Sequence, residues 1–277
     1  MNILFIGGGK MMQAITLGLL ARGTPANTVY VVEPDVRTGD SLRQMGLSVS
    51  ANPADIIDVV DVIILAVKPQ VMREALQPLA GKLRQQLVIS IAAGIRTREL
   101  SAWLNFPNVV RAMPNTPALI QAGISGLYAA TAVESPSRRT AEELLAAIGK
   151  TFWVDEEAML DAVTAVSGSG PAYVFYAMEA LEASAIALGF DAATARMLAL
   201  ETFRGASLLA AQSSDAPATL RANVTSKRGT TEAAIAVFDA EQLRERFMAG
   251  VTAAAKRATT LGDEFGDEFA TTLPSKA

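Results

Sequence analysis

The chain has 277 residues, 51% of them apolar, and a formal net charge of −4. That suits one large domain or two ordinary ones with a sizeable core, and the lack of clustered Lys and Arg excludes a surface built to track nucleic-acid phosphates. Cysteine and histidine are both absent, which excludes disulfides, thiol nucleophiles, Cys-ligated metals and every imidazole-based acid–base mechanism. The chemistry must run on hydroxyls, carboxylates, amines, backbone dipoles or a cofactor. The expected partners are small molecules or copies of the chain itself.

The opening MNILFIGG reads as an apolar strand running into glycines, without the basic region or cleavage site of a signal peptide. Strands are predicted over residues 2–6, 28–33, 61–67, 87–91 and 109–113, with helices over 10–22, 36–45, 70–83 and 97–104. This alternation specifies an α/β fold, a Rossmann-type doubly wound and mostly parallel sheet with helices on both faces. Residues 62–67 are apolar at every position, as a strand covered on both faces requires. Residues 123–154 read as strand, helix, strand (126–128, 138–148, 151–154), placed to close the sheet's edge.

From residue 156 onward the period is helical. The predicted division is a dinucleotide-binding domain over 1–158, an all-helical C-terminal dimerisation and substrate domain over 159–262, and an acidic tail over 263–277 expected to fray. A helix over 171–188 is apolar nearly all round and needs cover on most sides. A second copy supplies it most simply, so a homodimer is expected. Glu179 and Glu182 in that stretch argue against a membrane span, and a cytoplasmic location follows.

Gly7, Gly8 and Gly9 follow the first strand and open a helix, with Ile6 before them and Lys10 and Met11 after. In that context Gly7 permits the tight turn, and Gly9 lets the backbone approach a pyrophosphate at the helix N-terminus. The third fingerprint position is Met12 rather than Gly, and Ala14 is the candidate to take over close packing. Glu33 ends the second strand, where an acid accepts ribose hydroxyls and favours NADH; Arg37 on the next helix would instead clasp a 2′-phosphate and favour NADPH. The coenzyme is therefore NADPH or NADH, with the choice open. Ala66, Val67, Lys68 and Pro69 end the central strand at the ligand-binding edge, with Pro69 opening a helix. Ala92 and Ala93 supply small side chains beside a nicotinamide ribose.

Near the other end of the chain, Gly229, Thr230 and Thr231 precede a helix. Free N–H groups and the macrodipole there favour an anion such as a substrate carboxylate, against the plainer reading of a threonine cap. Asn115, in a proline-stiffened turn, is a candidate to contact nicotinamide or substrate, or a simple turn residue. Glu156 and Glu157 read as dipole-compensating acids at a helix start. No metal site is expected.

Several segments occur in order: GGGKM at residues 7–11, AVKP at 66–69, SIAAG at 90–94, RAMPNTP at 111–117, SGSGPAY at 167–173 and VTSKRGTT at 224–231. In these the chain resembles the pyrroline-5-carboxylate reductase family from residue 1 to about 260. The resemblance implies reduction of a cyclic imine to proline, a Rossmann domain followed by a helical dimerisation domain, an active site formed between one subunit's cofactor domain and its partner's helices, and rings of dimers in some members. It implies that Ser226, Gly229, Thr230 and Thr231 bind substrate, that the Thr231 hydroxyl meets the ring nitrogen, and that Asn223 faces the cofactor. Two residues depart from the family pattern: Lys10, where many members have Asn, and Arg228, where Gly, Asn or Lys is usual. A β-hydroxyacid dehydrogenase would carry a catalytic Lys on its first long helix, and 171–188 has none. A non-catalytic dinucleotide sensor would have no use for the anion-binding helix start.

Overall fold

The computed structural model describes residues 1–271, and for 267–271 only the course of the backbone. Two compact units emerge: Met1–Ser169 together with the chain from Ala254 onward, and Gly170–Ala253.

The first unit is built on strands β1 (Ile3–Ile6), β2 (Val29–Val32), β3 (Ser48–Ser50), β4 (Val62–Leu65), β5 (Leu87–Ser90), β6 (Val109–Met113), β7 (Gly123–Ala129) and β8 (Gly149–Trp153). They form one sheet in the order β3-β2-β1-β4-β5-β6-β7-β8. Only the β6–β7 pair is antiparallel. The order 3-2-1-4-5-6 is that of a dinucleotide-binding sheet, and its direction reverses between β1 and β4. Helices α1 (Lys10–Ala21), α2 (Val36–Gln44), α3 (Pro69–Leu76), α4 (Thr97–Leu104), α5 (Ser135–Ala146) and α6 (Met159–Val163) complete the unit.

Alternate residues of the central strands feed two cores. Phe5, Val31, Ile64 and Ile89 join Ile15, Leu127 and Leu145 in one. Leu4, Ile63, Leu65 and Val88 join Met72, Leu76 and Leu100 in the other. Both faces are dry, so the strands carry no polar alternation. Each fully buried Ile or Leu contributes about 1.5–3 kcal/mol by its removal from water.

The structure departs from the sequence expectation in four places. β3 is an edge strand of three residues, Ser-Val-Ser, too short and polar to show a period. The helix expected over 70–83 stops at Leu76 and gives way to a 3-10 turn over Gln77–Leu79, because Pro78 lacks the amide hydrogen that would continue it. The strand expected over 126–128 extends over Gly123–Ala129. The fourth departure is in the tail. Helix α11 (Leu243–Thr271) runs through residues 263–271, which were expected to fray. Phe265 packs on the second core, and Asp263 receives a bond from Arg96 Nη2 at 2.6 Å. Asp263 and Glu264 thus find partners in Arg96 and Arg257, and Leu261 and Phe265 at i, i+4 give this stretch an apolar stripe. Residues 272–277 of that expected tail lie outside the described residues.

The second unit holds α7 (Gly170–Ala187), α8 (Ala192–Gln212), α9 (Pro217–Asn223), α10 (Thr230–Ala240) and the start of α11. Helices α7 and α8 pack on each other, and the edge of one ring of the Tyr173–Phe247 pair meets the face of the other, with centroids 5.8 Å apart. Its buried residues are only Ala185, Ala195 and Ala199. No helix among the described residues is long and apolar enough to cross a membrane.

Candidate active site

Gly7 sits at φ +102°, in the left-handed region, and its N–H donates to Val32 O at 2.9 Å. A Cβ there would stand 2.8 Å from Val67 Cγ1 and 2.9 Å from Ala66 O. Only glycine fits, and the contact joins the glycine turn to the end of β4 across the point where the strand order reverses. Gly8 is equally enclosed: a Cβ would meet Leu42 Cδ1 at 2.8 Å and Glu33 Oε2 at 2.9 Å. Gly9, the N-cap of α1, is exposed, and a Cβ on it would meet nothing within 4 Å. The turn is rigid where it touches protein and open where a pyrophosphate would approach. No side chain caps α1, which leaves its first N–H groups to an anion. These residues fit a nicotinamide dinucleotide.

Other groups hold the turn. Gln13 Nε2 donates to Gly8 O at 3.0 Å, a brace that sequence reading missed, although an amide one turn into a phosphate-binding helix is a usable signal. Glu33 Oε2 accepts from Gly8 N–H at 2.8 Å and Oε1 from Asp35 N–H at 2.9 Å. Met12 is wholly buried and receives the Thr16 hydroxyl on its sulfur at 3.3 Å. Ala14 is buried as expected, and the closest helix approach falls at Gly18, where a Cβ would collide with Ala147 O.

Ile6, Gly7, Gly8, Gly9, Lys10, Met11, Glu33, Ala66, Val67, Lys68, Pro69, Ala92 and Ala93 therefore gather along the carboxyl edge of β1, β2, β4 and β5. Lys68 is the exposed N-cap of α3 and Pro69 its first residue. Arg37 is the exposed second residue of α2. Asn223 lies in the second unit, at the end of α9.

Asn115 is committed within its own unit. Its Nδ2 donates to Ser167 O at 3.1 Å and its Oδ1 accepts from Ile124 N–H at 2.9 Å. The amide locks the turn after β6 to β7 and to a single π-turn over Thr164–Gly168, so in this structure Asn115 is a brace. Glu157 also differs from expectation. It does not open a helix; α6 begins at Met159. Its carboxylate accepts from Thr97 N–H at 2.7 Å, Thr97 Oγ1 at 2.9 Å and Arg111 Nη1 at 2.8 Å. One acid thereby caps α4 and neutralises an arginine that is 5% exposed. The signal was Arg111 itself: a charge inside the apolar strand VVRAM demands a partner.

In the second unit, Ser226–Gly229 form a turn closed by Gly229 N–H on Ser226 O at 3.0 Å. Gly229 is the N-cap of α10 and no side chain caps the helix. The threonine-cap reading is therefore excluded. Among the described residues, the N–H groups of Thr230, Thr231 and Glu232 have no acceptor. Glu232 instead reaches back to the Arg228 N–H at 2.6 Å. Arg228 adopts φ +60°, which explains why Gly or Asn suits this position better. With Lys227 and Arg228 alongside, this helix start has the charge and the free backbone donors that suit an anion.

Comparison with known proteins agrees with both halves. Residues 157–261 match the family model described as pyrroline-5-carboxylate reductase dimerisation, and residues 2–94 match the broader one described as NADP oxidoreductase, coenzyme F420-dependent. The chain is 43% identical to the pyrroline-5-carboxylate reductase of Pseudomonas aeruginosa over 96% of its own length and 98% of that protein's. It is 36% identical to the enzyme of that name from Arabidopsis thaliana over 93% of this chain and 94% of that one. The solved structure of a pyrroline-5-carboxylate reductase from Coxiella burnetii superposes with a TM-score of 0.88 at 38% identity, covering 94% of this chain and 98% of that one. With a glycine turn at the switch point, an uncapped threonine helix start, and this likeness over nearly the whole sequence, the chain belongs to the pyrroline-5-carboxylate reductase family.

Proposed function

We propose that the chain reduces 1-pyrroline-5-carboxylate to L-proline, the last step of proline biosynthesis, using NADPH or NADH. The observation that carries the reading is the α10 start, where among the described residues the backbone N–H groups of Thr230, Thr231 and Glu232 have no acceptor. When bound, the reduced nicotinamide would supply the hydride that adds to the imine carbon, and the ring nitrogen, protonated from solvent beforehand, would keep that proton while the C=N π pair becomes its lone pair.

The glycine turn, with Lys10 and Met11 beyond it and Ala66–Pro69, Ala92 and Ala93 beside it, holds the dinucleotide. Asn223 is assigned to the coenzyme from the helical side. Gly229, Thr230 and Thr231 receive the substrate carboxylate on backbone N–H groups, and Ser226 shapes the turn that presents them. Thr231 Oγ1 accepts from the protonated ring nitrogen and orients the imine carbon. A pyrroline arrives partly protonated, so positioning and electrostatics carry most of the acceleration, consistent with a chain that lacks histidine. Asn115 contributes by bracing the turn after β6.

In this reading residues 1–158 serve the coenzyme and 159–262 the substrate and self-association. The apolar exposure of α7 and α8 supports a homodimer, and mass in solution distinguishes a single dimer from a ring of dimers. We place the protein in the cytoplasm.

The test is coenzyme oxidation with pyrroline-5-carboxylate against a β-hydroxyacid semialdehyde. Turnover of the first alone is expected, and preference for the second would replace this reading. Thr231→Ala should lower kcat/KM by about tenfold or more, with Thr231→Ser restoring most of it. A loss under about threefold, ~0.7 kcal/mol, removes the hydroxyl from the mechanism.

A further inference from the structure

We propose that Glu33 and Asp35, at the end of β2, make this chain select the coenzyme whose adenosine ribose carries no 2′-phosphate. The inference rests on the reading of the glycine turn as the dinucleotide site and goes beyond it by choosing between the two coenzymes.

The end of the second strand is where the adenosine ribose lies in a sheet of this order. Glu33 is fixed there by two backbone N–H groups, from Gly8 at 2.8 Å and Asp35 at 2.9 Å. A carboxylate has about four lone-pair sites, so roughly two remain, enough for the two hydroxyls of a ribose diol. The carboxylate reaches the turn only because residue 8 is glycine, since a Cβ there would stand 2.9 Å from Glu33 Oε2. It cannot swing away from an incoming phosphate without releasing the turn.

Two residues on, Asp35 caps α2, its Oδ1 accepting from Thr38 N–H at 2.8 Å. That bond holds its carboxyl below the ordinary carboxylate range, so it is charged at neutral pH. It also occupies the Thr38 N–H at the start of α2, so that donor is not open to an anion. Two fixed negative charges therefore meet a dianion.

Arg37 is the one cation placed to oppose them among residues 33–38. It is exposed, and no hydrogen bond or ion pair holds it among the described residues. Binding through Arg37 would require ordering a long side chain; repulsion by Glu33 and Asp35 requires no ordering. The fixed charges prevail.

The experiment is a fluorescence titration of the full-length protein with NADH and with NADPH, paired with KM for each coenzyme at saturating pyrroline-5-carboxylate. NADH is expected to bind about tenfold tighter, with the difference in KM rather than kcat. Glu33→Gln and Asp35→Asn remove charge, and Asn still caps a helix. Each should tighten NADPH by about threefold or more, narrowing the gap. Asp35→Asn leaves the Gly8 bond intact and so serves where Glu33→Gln disturbs the turn. Equal or tighter binding of NADPH by the unaltered protein overturns the proposal, as does an unchanged coenzyme ratio in both variants. Because the titration needs no imine, coenzyme binding without turnover would count against the substrate reading and leave this one standing.

Discussion

Within residues 1–169, isoleucine, leucine, valine and phenylalanine fill two layers to near-zero exposure, whereas residues 170–253 bury three alanines and little else. In the second unit Phe175, Tyr176 and Leu188 are 58%, 76% and 81% exposed. An exposed apolar surface of this extent marks an interface. The first unit draws its stability from its own interior, and the second requires a surface laid against it. The two halves of the candidate site differ in the same sense. The glycine turn is fixed at Gly7 and Gly8 by contacts that leave no room for a side chain, while the start of α10 is partly exposed and carries no side-chain cap.

The largest effect that would break this contrast is a cavity in the first unit. Ile64 is wholly buried, and Ile64→Ala should cost about 2–5 kcal/mol, a loss relative to the unaltered protein that is the same at every protein concentration. Phe175→Ala should do the opposite: cause little local loss, but a Tm deficit that shrinks on dilution, since the self-association it weakens adds stability to the unaltered protein by mass action. Thermal melts across a hundredfold dilution series read both. Should Phe175→Ala behave like Ile64→Ala, α7 has its cover within the chain and the contrast fails.

Gly7→Ala comes next. With φ +102° and a Cβ forced against Val67 and Ala66, the turn must shift. Coenzyme affinity is expected to fall by about a hundredfold, ~2.7 kcal/mol. Titration of the variant checks this, with circular dichroism showing whether the sheet survives. A loss under about fivefold, ~1 kcal/mol, would mean that the turn yields cheaply.

A smaller effect lies at Arg228. Its φ of +60° stores about 1 kcal/mol relative to glycine. Arg228→Gly should therefore raise stability slightly while removing a cation beside the helix mouth, so that Tm rises and KM for the imine rises with it. A rise in Tm with KM unchanged would show that the backbone N–H groups alone hold the carboxylate.

The sequence made the first unit legible because its strands are continuous apolar runs and its glycines stand where φ or a close approach demands them. It hid what depends on distant partners. Ser48–Ser50 becomes a strand only because β2 offers it an edge. Glu157 reads as a helix-start acid until Thr97 and Arg111 arrive from 60 and 46 residues away. Asn115 looks available until Ser167 and Ile124 take up both ends of its amide. The tail looks solvated because its Asp and Glu are mixed with Gly, Thr, Ser and Pro, yet Phe265 has Gly94 to pack on. The start of α10 was legible for the opposite reason: it is set locally, by a glycine and two threonines.

The smallest expected effect tests whether the two units differ in anything besides burial. Each has a helix capped by an exposed aspartate. Asp35 accepts from Thr38 N–H in the first unit, and Asp191 accepts from Thr194 Oγ1 and from the N–H groups of Ala193 and Thr194 in the second. Hydrogen bonds from Thr38 and from Thr194 depress these carboxyls below their ordinary range. A depressed folded-state pKa stabilises above the unfolded value, about 3.9, and that stabilisation is lost as pH falls through the folded value. Asp35→Ala and Asp191→Ala should each lower Tm slightly at neutral pH, and the gap to the unaltered protein should close in acid. Asp→Asn should change little, since Asn caps as well. Equal losses at the two sites would mean that helix ends obey the same local energetics in both units, leaving tertiary cover as the sole distinction. A larger, dilution-sensitive loss at Asp191 would mean that the start of α8 is itself part of the surface where two copies meet.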